Sequence, residues 1–401
     1  MEKVIYFDNN ATTRVAKEAI EEMNPFLNEL YGNPSSMHFF GGKVQKYIDI
    51  AREKVANLIG ASPEEIIFTS CGTESDSTAI YSALKNNPNK KHIITTEVEH
   101  PAVLNLYKSL EKQGYRTTYL KVNEDGMIDL NELENNISSD TAIVSIMWAN
   151  NETGIIYPVE KASEIANKKG ALFHTDAVQA AGKINIDVKK TKIDMLSISG
   201  HKFHAPKGIG VLYVRKGTPF SSFLIGGHQE RGRRAGTENV PYIVAIGKAA
   251  ELAVKNIEKE NTYVKELRDR LENGILNSIK NVRINGINSP RVPNTTNISF
   301  QYVEGESILI FMSEKGICAS SGSACSSGSL DPSHVLMAMK VPMTFAHGSI
   351  RFSLGIYNTS QEVDFVLKEL PLIINRLREI SPFADGKPLF GFDSCDPSHK
   401  H

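Results

Sequence analysis

The first residue that could do chemistry is a lysine enclosed by apolar sequence. Lys202 lies between the segments DMLSIS (194–199) and GVLYV (210–214), and both have the composition of strands. An amino group held between two strands is partly buried. Burial lowers the pKa of a lysine and favours Schiff-base formation. A lysine whose chain extends to solvent is the alternative, and the apolar flanks make it the weaker one.

Three other positions place polar groups after apolar segments. Asp176 follows ALFHT, and a carboxylate there could hold a ring nitrogen or cap a helix. His100 follows HIITT by a few residues and could stack on a ring or transfer a proton. Gly72 and Thr73 open a predicted helix. Its first N–H groups could cradle a phosphate, or the segment could be a helix cap without a ligand.

One cysteine stands in a segment that offers it no packing partners. Cys325 lies in SSGSACSSGS, residues 320–329. Such a segment is usually a flexible connector, and a free cysteine is usually a small buried residue, so this position alone does not establish a nucleophile. The chain has four cysteines and no C-x-x-C pair, and the spacing of Cys318 and Cys325 fits no common zinc pattern. A reducing compartment, which keeps Cys325 free, is the simplest interpretation.

Short β-branched segments alternate with helical patterns over the first half of the chain. The predicted strands are 66–70, 92–96, 141–149 and 171–176. Helices are predicted to begin near Glu74, Pro101 and Pro158. This alternation predicts an α/β fold whose mostly parallel sheet is flanked by helices. Ligands of such sheets bind beyond the carboxyl ends of the strands, and the candidate residues stand at those ends.

The pattern changes after residue 214. Residues 240–279 are predicted as one long helix, with apolar positions three and four residues apart. A strand (NTTNISF), a helix near 304–315, a strand (SIRFSL) and a helix to about Ile380 follow. The domains we expect are a large domain at 16–255, a smaller α+β domain made of 1–15 with 256–381 that carries a mobile cysteine loop, and an irregular tail at 382–401.

Composition and charge exclude several function classes. A chain of 401 residues with 41% hydrophobic residues is long enough for two or more domains. A net charge of −1 gives no general attraction to nucleic acid or to an anionic membrane. No apolar run has the length of a membrane span, and MEKVIYFDNNATT lacks the apolar region of a signal peptide. We expect a cytoplasmic protein without nucleic-acid or membrane partners.

Together the candidate groups fit pyridoxal phosphate chemistry: a lysine to form an imine, an acid for the ring nitrogen, a ring-stacking side chain and a phosphate cradle. Over about residues 3 to 382 the chain resembles the class V, fold-type I aminotransferase family. Within it the chain resembles the cysteine desulfurases, most closely the nitrogen-fixation type. The segments that carry the resemblance are DNNATT (8–13), GNPSS (32–36), TSCGTESDSTAI (69–80), EHPAVL (99–104), WANNETG (148–154), HTDAVQA (174–180), SGHKFHAPKG (199–208), GGHQERGRRAGTEN (226–239), SSGSACSSGSLDPSH (320–334) and AHGSIRFSLG (346–355).

The resemblance implies a fold-type I transferase fold and roles for residues around the cofactor ring. Lys202 is expected to hold pyridoxal phosphate as an imine. Asp176 is expected to pair with the pyridine nitrogen and Gln179 with the ring hydroxyl. His100 is expected to stack on the ring.

The resemblance also implies phosphate and substrate contacts. The residues expected to hold the phosphate are Gly72, Thr73, Ser199 and His201. Thr237 is expected to reach the phosphate in the neighbouring subunit, which makes the protein a homodimer. Asn151 and Arg351 are expected to hold the substrate, Arg351 through its carboxylate, and Asn151 also to contact the cofactor.

Cys325 matches the nucleophile of the family. The resemblance implies that Lys202 or His100 moves the Cα proton of L-cysteine and that the Cys325 thiolate then attacks the substrate sulfur. The products are L-alanine and a persulfide on Cys325. The implied acceptor is an iron-sulfur scaffold protein, in this type for nitrogenase maturation, and Cys325 could briefly ligate an iron-sulfur unit shared with it. A loop without packing side chains lets one thiol reach both cofactor and partner.

Two alternatives stay open. A selenocysteine lyase would use the same cofactor residues, and relative turnover of cysteine and selenocysteine would separate the two. A cofactor-free sulfur carrier or assembly scaffold is the other, and Lys202 argues against it. Cys318 is expected to be structural, and no sulfur chemistry is expected from Cys71. The sequence does not identify the acceptor or the role of the tail and Cys395.

Overall fold

The computed structural model describes residues 4–321 and 332–381. The strands in chain order are β1 (Ile5–Tyr6), β2 (Ile66–Thr69), β3 (His92–Thr96), β4 (Arg116–Leu120), β5 (Thr141–Ser145), β6 (Leu172–Asp176), β7 (Met195–Ser199), β8 (Gly210–Val214), β9 (Val282–Ile284), β10 (Thr295–Phe300), β11 (Ile317–Cys318) and β12 (Ser349–Ser353). The α-helices are α1 (Lys17–Met23), α2 (Pro25–Asn28), α3 (Phe39–Leu58), α4 (Gly72–Asn86), α5 (Pro101–Glu111), α6 (Leu130–Asn136), α7 (Val159–Lys168), α8 (Val240–Lys259), α9 (Lys265–Ser278), α10 (Gly305–Glu314), α11 (His334–Ala338), α12 (Met343–Ala346) and α13 (Ser360–Ile380).

A seven-stranded sheet of order β2-β8-β7-β6-β5-β3-β4 forms the centre of the larger part of the molecule. Strands β3 to β7 run parallel, and β8 runs antiparallel to both of its neighbours. Every residue of β3, β5, β7 and β8 is buried. Burial on both faces explains why these segments are almost continuously apolar or β-branched. The predicted mostly parallel sheet is confirmed.

Helices cover both faces of this sheet. Helix α4 packs on β7 and β8. Helix α3 packs along α8, away from that contact. The α3–α8 contact is close because Gly247 faces Ala51. A Cβ atom at Gly247 would lie 2.6 Å from the Ala51 Cα, so the helices could not approach as they do with a side chain there.

A second core lies against the first. The antiparallel sheet β12-β10-β9 and the parallel pair β1–β11 form it with α9, α10 and α13. Ile5 and Phe7 from the start of the chain are buried in this core. The division into domains at 16–255 and at 1–15 with 256–381 stays a proposal, which this distribution supports. One departure is that Val292 and several residues between 335 and 346 pack in the first core.

The predicted long helix at 240–279 is interrupted. Helix α8 ends at Lys259, a π-helical turn covers Glu260–Val264, and α9 begins at Lys265. The backbone stays helical, so apolar spacing could not reveal the inserted residue of the π turn. Such turns are often found beside functional sites. Within residues 4–321 and 332–381, no helix is long and apolar enough to cross a membrane.

Candidate active site

A cavity of about 380 Å³ lies at the carboxyl ends of the central strands. The structure brings residues from both halves of the sequence to its wall. The predicted site residues that line it are Gly72, Thr73, His100, Asn151, Asp176, Gln179, Ser199, His201, Lys202 and Arg351. The order of the strands explains this meeting, because the carboxyl ends of parallel strands share one edge of the sheet.

Lys202 ends the short turn Gly200–Lys202 that follows β7. Its Nζ donates to the main-chain oxygens of Asn10, at 2.6 Å, and Ala11, at 2.8 Å. The side chain is half-buried and lines the cavity. Two neutral carbonyl groups therefore fix the position of an amine at the cavity wall.

Asp176 is the last residue of β6 and is 6% exposed. Its Oδ1 accepts a hydrogen bond from the Val178 N–H at 2.9 Å. Burial raises the pKa of Asp176, while His100 and Lys202 lower it. Asp76, a second buried carboxyl, also lines the cavity, and burial together with the Asp176 charge raises the pKa of Asp76 well above its usual range. The net effect is a raised pKa for Asp176, although Asp176 is the carboxyl of the two that has the Lys202 amine near it to favour its ionised form.

His100 caps the start of α5. Its Nδ1 accepts from the Ala102 N–H at 3.1 Å, so a neutral ring carries its proton on Nε2. Burial lowers the pKa of His100, which favours the neutral ring; Asp176 opposes this effect and Lys202 adds to it. The ring lines the cavity with Asp176 and Lys202, as a stacking or proton-transfer role requires.

The start of α4 presents backbone N–H groups that could bind a phosphate. Gly72 and Thr73 begin the helix, whose unpaired N–H groups and dipole favour an anion. A Cβ atom at Gly72 would lie 2.9 Å from Val178 Cγ2, so this position has no room for a side chain. Ser199 and His201 line the same cavity. Burial and the charges of Lys202 and Lys207 lower the pKa of His201 to about 4, so it would act as a neutral hydrogen-bonding group.

Arg351 approaches the cavity from β12 and is 5% exposed. Its Nη1 donates to the Asn151 main-chain oxygen at 3.1 Å and its Nη2 to Asp8 Oδ1 at 2.7 Å. The Nε atom is buried without a hydrogen-bond partner among the described residues. A guanidinium with a remaining donor at a cavity wall is suited to a carboxylate ligand.

The segment that leads to Cys325 starts at the cavity. Ser320 and Ser321 line the wall, and Ser320 is paired with Arg351 through two backbone hydrogen bonds. Cys325, including its predicted role as a transient metal ligand, lies outside the described residues, as does Cys395. Among residues 4–321 and 332–381, no group of three or more side chains is arranged to hold a metal ion.

Thr237 is exposed and is not part of the lining described for the cavity of its own chain. The loop before it is nonetheless firmly fixed. Arg52 and Glu230 form a buried bidentate ion pair at 2.7 Å, and Glu230 also accepts from the Phe68 N–H of edge strand β2. Glu230 and Arg231 have positive φ, a strained conformation for side chains of this size. These contacts anchor the start of the loop, and Thr237 is exposed further along it.

Asn10 is a site residue that the sequence analysis did not single out. Its main-chain oxygen accepts from Lys202 and Gln179, and its side chain bonds Lys183, Asn294 and Thr295. Its place in the DNNATT segment was the only available signal, because nothing in an asparagine side chain by itself indicates such a role. Asn10 therefore joins residues of the large sheet to the second core at the cavity.

The comparisons agree with this geometry. The chain matches the model of the Aminotransferase class-V family over residues 5–366, and it belongs to that family. It is 59% identical over 382 residues to a cysteine desulfurase of Trichormus azollae, covering 95% of this chain and 96% of that protein. It is 54% identical to the cysteine desulfurase NifS of Azotobacter vinelandii over 383 residues, covering 95% of each. A solved NifS-like protein superposes with a TM-score of 0.88 at 42% identity, covering 94% of this chain and 100% of that one. The resemblance stated from the motifs is confirmed.

Proposed function

We propose that this protein is a pyridoxal phosphate-dependent cysteine desulfurase that converts L-cysteine to L-alanine and retains the sulfur as a persulfide on Cys325. The observation that carries the proposal is that Lys202 and Asp176 share one cavity, beside a helix that begins at Gly72. The identities to named cysteine desulfurases support the choice of substrate.

The residues present fit pyridoxal phosphate. The cradle at Gly72 and Thr73, with Ser199 and His201, offers neutral donors to a phosphate, and close packing of Gly72 on Val178 leaves no room for a side chain at that position. Asp176 would hold the pyridine nitrogen, and Gln179 would donate to the ring hydroxyl. Lys202 would form the imine, with His100 against the ring. When bound, this cofactor withdraws electrons from the Cα atom of an amino-acid substrate.

The protein groups around the substrate have separate tasks. Arg351, with Asn151, would bind the carboxylate and so orient the Cα–H bond towards the amine of Lys202. Lys202 or His100 would take the Cα proton, because both line the same wall and burial favours a neutral His100. A protonated ring nitrogen would favour the ionised form of Asp176 against the effect of burial, and Lys202 acts in the same direction.

The sulfur transfer would belong to Cys325. Its thiolate would form an S–S bond with the substrate sulfur while the substrate C–S bond breaks. The electron pair would remain on the carbon fragment, which takes up a proton and leaves as L-alanine. Ser320 and Ser321 at the wall support this role, because Cys325 stands only four positions after Ser321 in the sequence. We further propose that the persulfide passes to an iron-sulfur scaffold protein, with Cys325 as a transient shared ligand, and that nitrogenase maturation is the use of this sulfur.

We propose that the protein is a homodimer in which Thr237 reaches the phosphate of the neighbouring subunit. The exposed position of Thr237 on a loop anchored at its start supports this. Several large apolar side chains are exposed in the single chain, including Met37, Phe39 and Ile225. Exposed apolar surface of this kind is typical of an interface.

The decisive experiment measures sulfide and alanine released from L-cysteine with excess dithiothreitol. Wild type is expected to give equal amounts, and Cys325→Ala almost none while it keeps its yellow colour. Cys318→Ser, which removes a different thiol, is the matched control and should keep full activity. Full activity in Cys325→Ala would instead indicate a lyase that expels sulfur directly. A wild-type protein that binds no pyridoxal phosphate would indicate a cofactor-free carrier, and faster turnover of selenocysteine would indicate a selenocysteine lyase.

A further inference from the structure

A second buried lysine lies behind the wall of the candidate active site. Lys183 is 4% exposed and stands four residues after Gln179. Its Nζ donates to Gln179 Oε1 at 2.6 Å and to Asn10 Oδ1 at 2.9 Å. Both acceptors are neutral amides. A buried ammonium usually has a carboxylate within hydrogen-bond distance, so this arrangement needs an explanation beyond stability.

Both partners of Lys183 are part of the active-site wall. Gln179 and Asn10 line the 380 Å³ cavity with Lys202. Lys183 instead lines a neighbouring cavity of about 210 Å³, which Lys202 also borders. Lys183 therefore acts on the site through Gln179, Asn10 and its own charge, without direct contact with the reacting atoms.

Hydrogen-bond chemistry fixes the orientation of both amides. The amino group of lysine approaches Gln179 and Asn10 as a donor, so the side-chain oxygens of both must face it. The Gln179 Nε2 is then turned away from Lys183 and donates to the Asn10 main-chain oxygen at 3.0 Å. That same oxygen accepts from Lys202 Nζ at 2.6 Å. Lys183 thus determines which end of the Gln179 side chain acts as a donor. Through Gln179 it also positions the Asn10 carbonyl, which accepts from Lys202.

A carboxyl group behind Lys183 balances its charge. Glu260 is 8% exposed, stands at the start of the π-helical turn and borders the 210 Å³ cavity. Its Oε2 is buried without a hydrogen-bond partner among the described residues. Burial lowers the pKa of Lys183 to about 7, against the opposing effect of the Glu260 carboxylate. The other charged groups that act on Lys183 are Lys202 and Arg351, and Lys259 acts on Glu260.

We propose that Lys183 is a positioning residue of this active site: it orients the Gln179 amide so that an N–H faces the ring hydroxyl of the cofactor, and in its protonated form it places a positive charge behind Lys202. This inference rests on the proposed function in that pyridoxal phosphate must occupy the cavity. Both effects favour loss of the proton from the Lys202 nitrogen. An N–H donated to the ring oxygen weakens the hold of that oxygen on the neighbouring proton, and a nearby cation disfavours a proton on the Lys202 nitrogen.

The test is a pH titration of the visible absorption band of the protein with pyridoxal phosphate bound, and the midpoint of that titration is compared between variants. In Lys183→Met the midpoint is expected to rise by about one pH unit, the effect of one hydrogen bond and one nearby charge. The dissociation constant of pyridoxal phosphate should rise by about tenfold for the same reason. Lys183→Gln, which keeps a donor and loses the charge, should lie between wild type and Lys183→Met. Lys189→Met, at an exposed lysine in the same region, should match wild type.

The outcomes separate the inference from the function. An unchanged midpoint in both Lys183 variants would overturn the role of Lys183 while the function stands. A purely structural role would lower the melting temperature of the variants and leave the midpoint unchanged. If Lys183→Met does not fold, Lys183→Gln decides alone: a shifted midpoint supports the inference and an unshifted one refutes it. A wild-type protein whose visible band does not depend on Lys202 would refute the proposed function instead.

Discussion

Arg351 Nη2 donates to Asp8 Oδ1 at 2.7 Å, so the arginine on the cavity wall is paired with a carboxylate of its own chain. A second bond, from Nη1 to the Asn151 carbonyl, fixes the plane of the guanidinium. The pairing keeps a mostly buried cation ordered before any substrate arrives. It also leaves Nε without an acceptor among the described residues.

Arg351→Lys should weaken substrate binding more than turnover. A lysine can keep one contact, but it cannot bridge Asp8, Asn151 and a carboxylate in one plane. The KM for L-cysteine is expected to rise by about tenfold or more, with a smaller change in kcat. Steady-state alanine release measures both constants. Arg283→Lys on β9 is the control, and an equal rise in KM in that variant would contradict the specific role of Arg351.

Asp176→Asn should separate cofactor binding from catalysis. The amide keeps the size of the carboxyl group but loses the charge that would hold the ring nitrogen protonated. We expect turnover to fall by at least about a hundredfold, while borohydride reduction still attaches the cofactor to Lys202. Mass spectrometry of the labelled peptide gives the second result. Retained turnover would show that the buried carboxylate has no part in the chemistry.

The stability of the protein should depend on pH through Glu99. This side chain is fully buried, and its Oε1 accepts from Thr96 and from the Met147 N–H, while burial raises its pKa to about 8. A raised folded-state pKa means that the protonated form is favoured by folding. Its contribution is therefore complete below the ordinary glutamate range and is lost as the pH rises towards 8.

Glu99→Gln tests this dependence, because an amide resembles the protonated acid at every pH. Relative to the variant, wild type should lose stability between about pH 4.5 and pH 8, by an amount on the order of a few kcal/mol. Melting temperatures of both proteins across this range give the difference. Parallel curves would show that Glu99 does not titrate there. Burial also raises the pKa of Glu152 to about 7. Both proteins contain Glu152, so its contribution cancels from the difference between their melting temperatures.

Glu230→Gln should destabilise the fold. Breaking a buried ion pair from one side leaves Arg52 without its countercharge, at a cost of about 3–5 kcal/mol. The loop that presents Thr237 would keep its bond from Arg231 to the Ile66 carbonyl of β2, so the loss is mainly that of the countercharge. Glu21→Gln, which breaks the exposed pair with Lys17, should change stability by less than about 1 kcal/mol. Urea unfolding compares the variants, and equal midpoints would contradict a role of the buried pair.

Local sequence was sufficient to predict the residues that follow strands. Lys202, Asp176 and His100 were predicted because a strand pattern ends just before each of them, and the sheet brings those ends together. The limits of β5 were less predictable: the apolar run continues to Ala149, but the strand ends at Ser145. The run beyond it is buried and still donates from Ile146 and Trp148 to the carbonyls of His174 and Asp176 on β6, so apolar sequence continues past the regular strand.

Asn10 and Lys183 could not be predicted in the same way. Each acts through partners far away in the sequence, such as Asn294 for Asn10. A lysine in AAGKIN looks like a solvated residue, because no local pattern shows that α8 and the π turn will cover it. Their roles follow from tertiary packing, and only the assembled structure shows them.

The pairing of the first strand has a consequence for biosynthesis. Ile5 and Tyr6 pair with Ile317 and Cys318, and Asp8 bridges to Ser353. Asn10 and Ala11, which hold the amine of Lys202, follow directly after that strand. A ribosome must therefore translate past residue 353 before the first dozen residues can take their final place. The nascent chain could assemble its central sheet earlier, but it could capture its cofactor in a finished pocket only after β12 has left the ribosome.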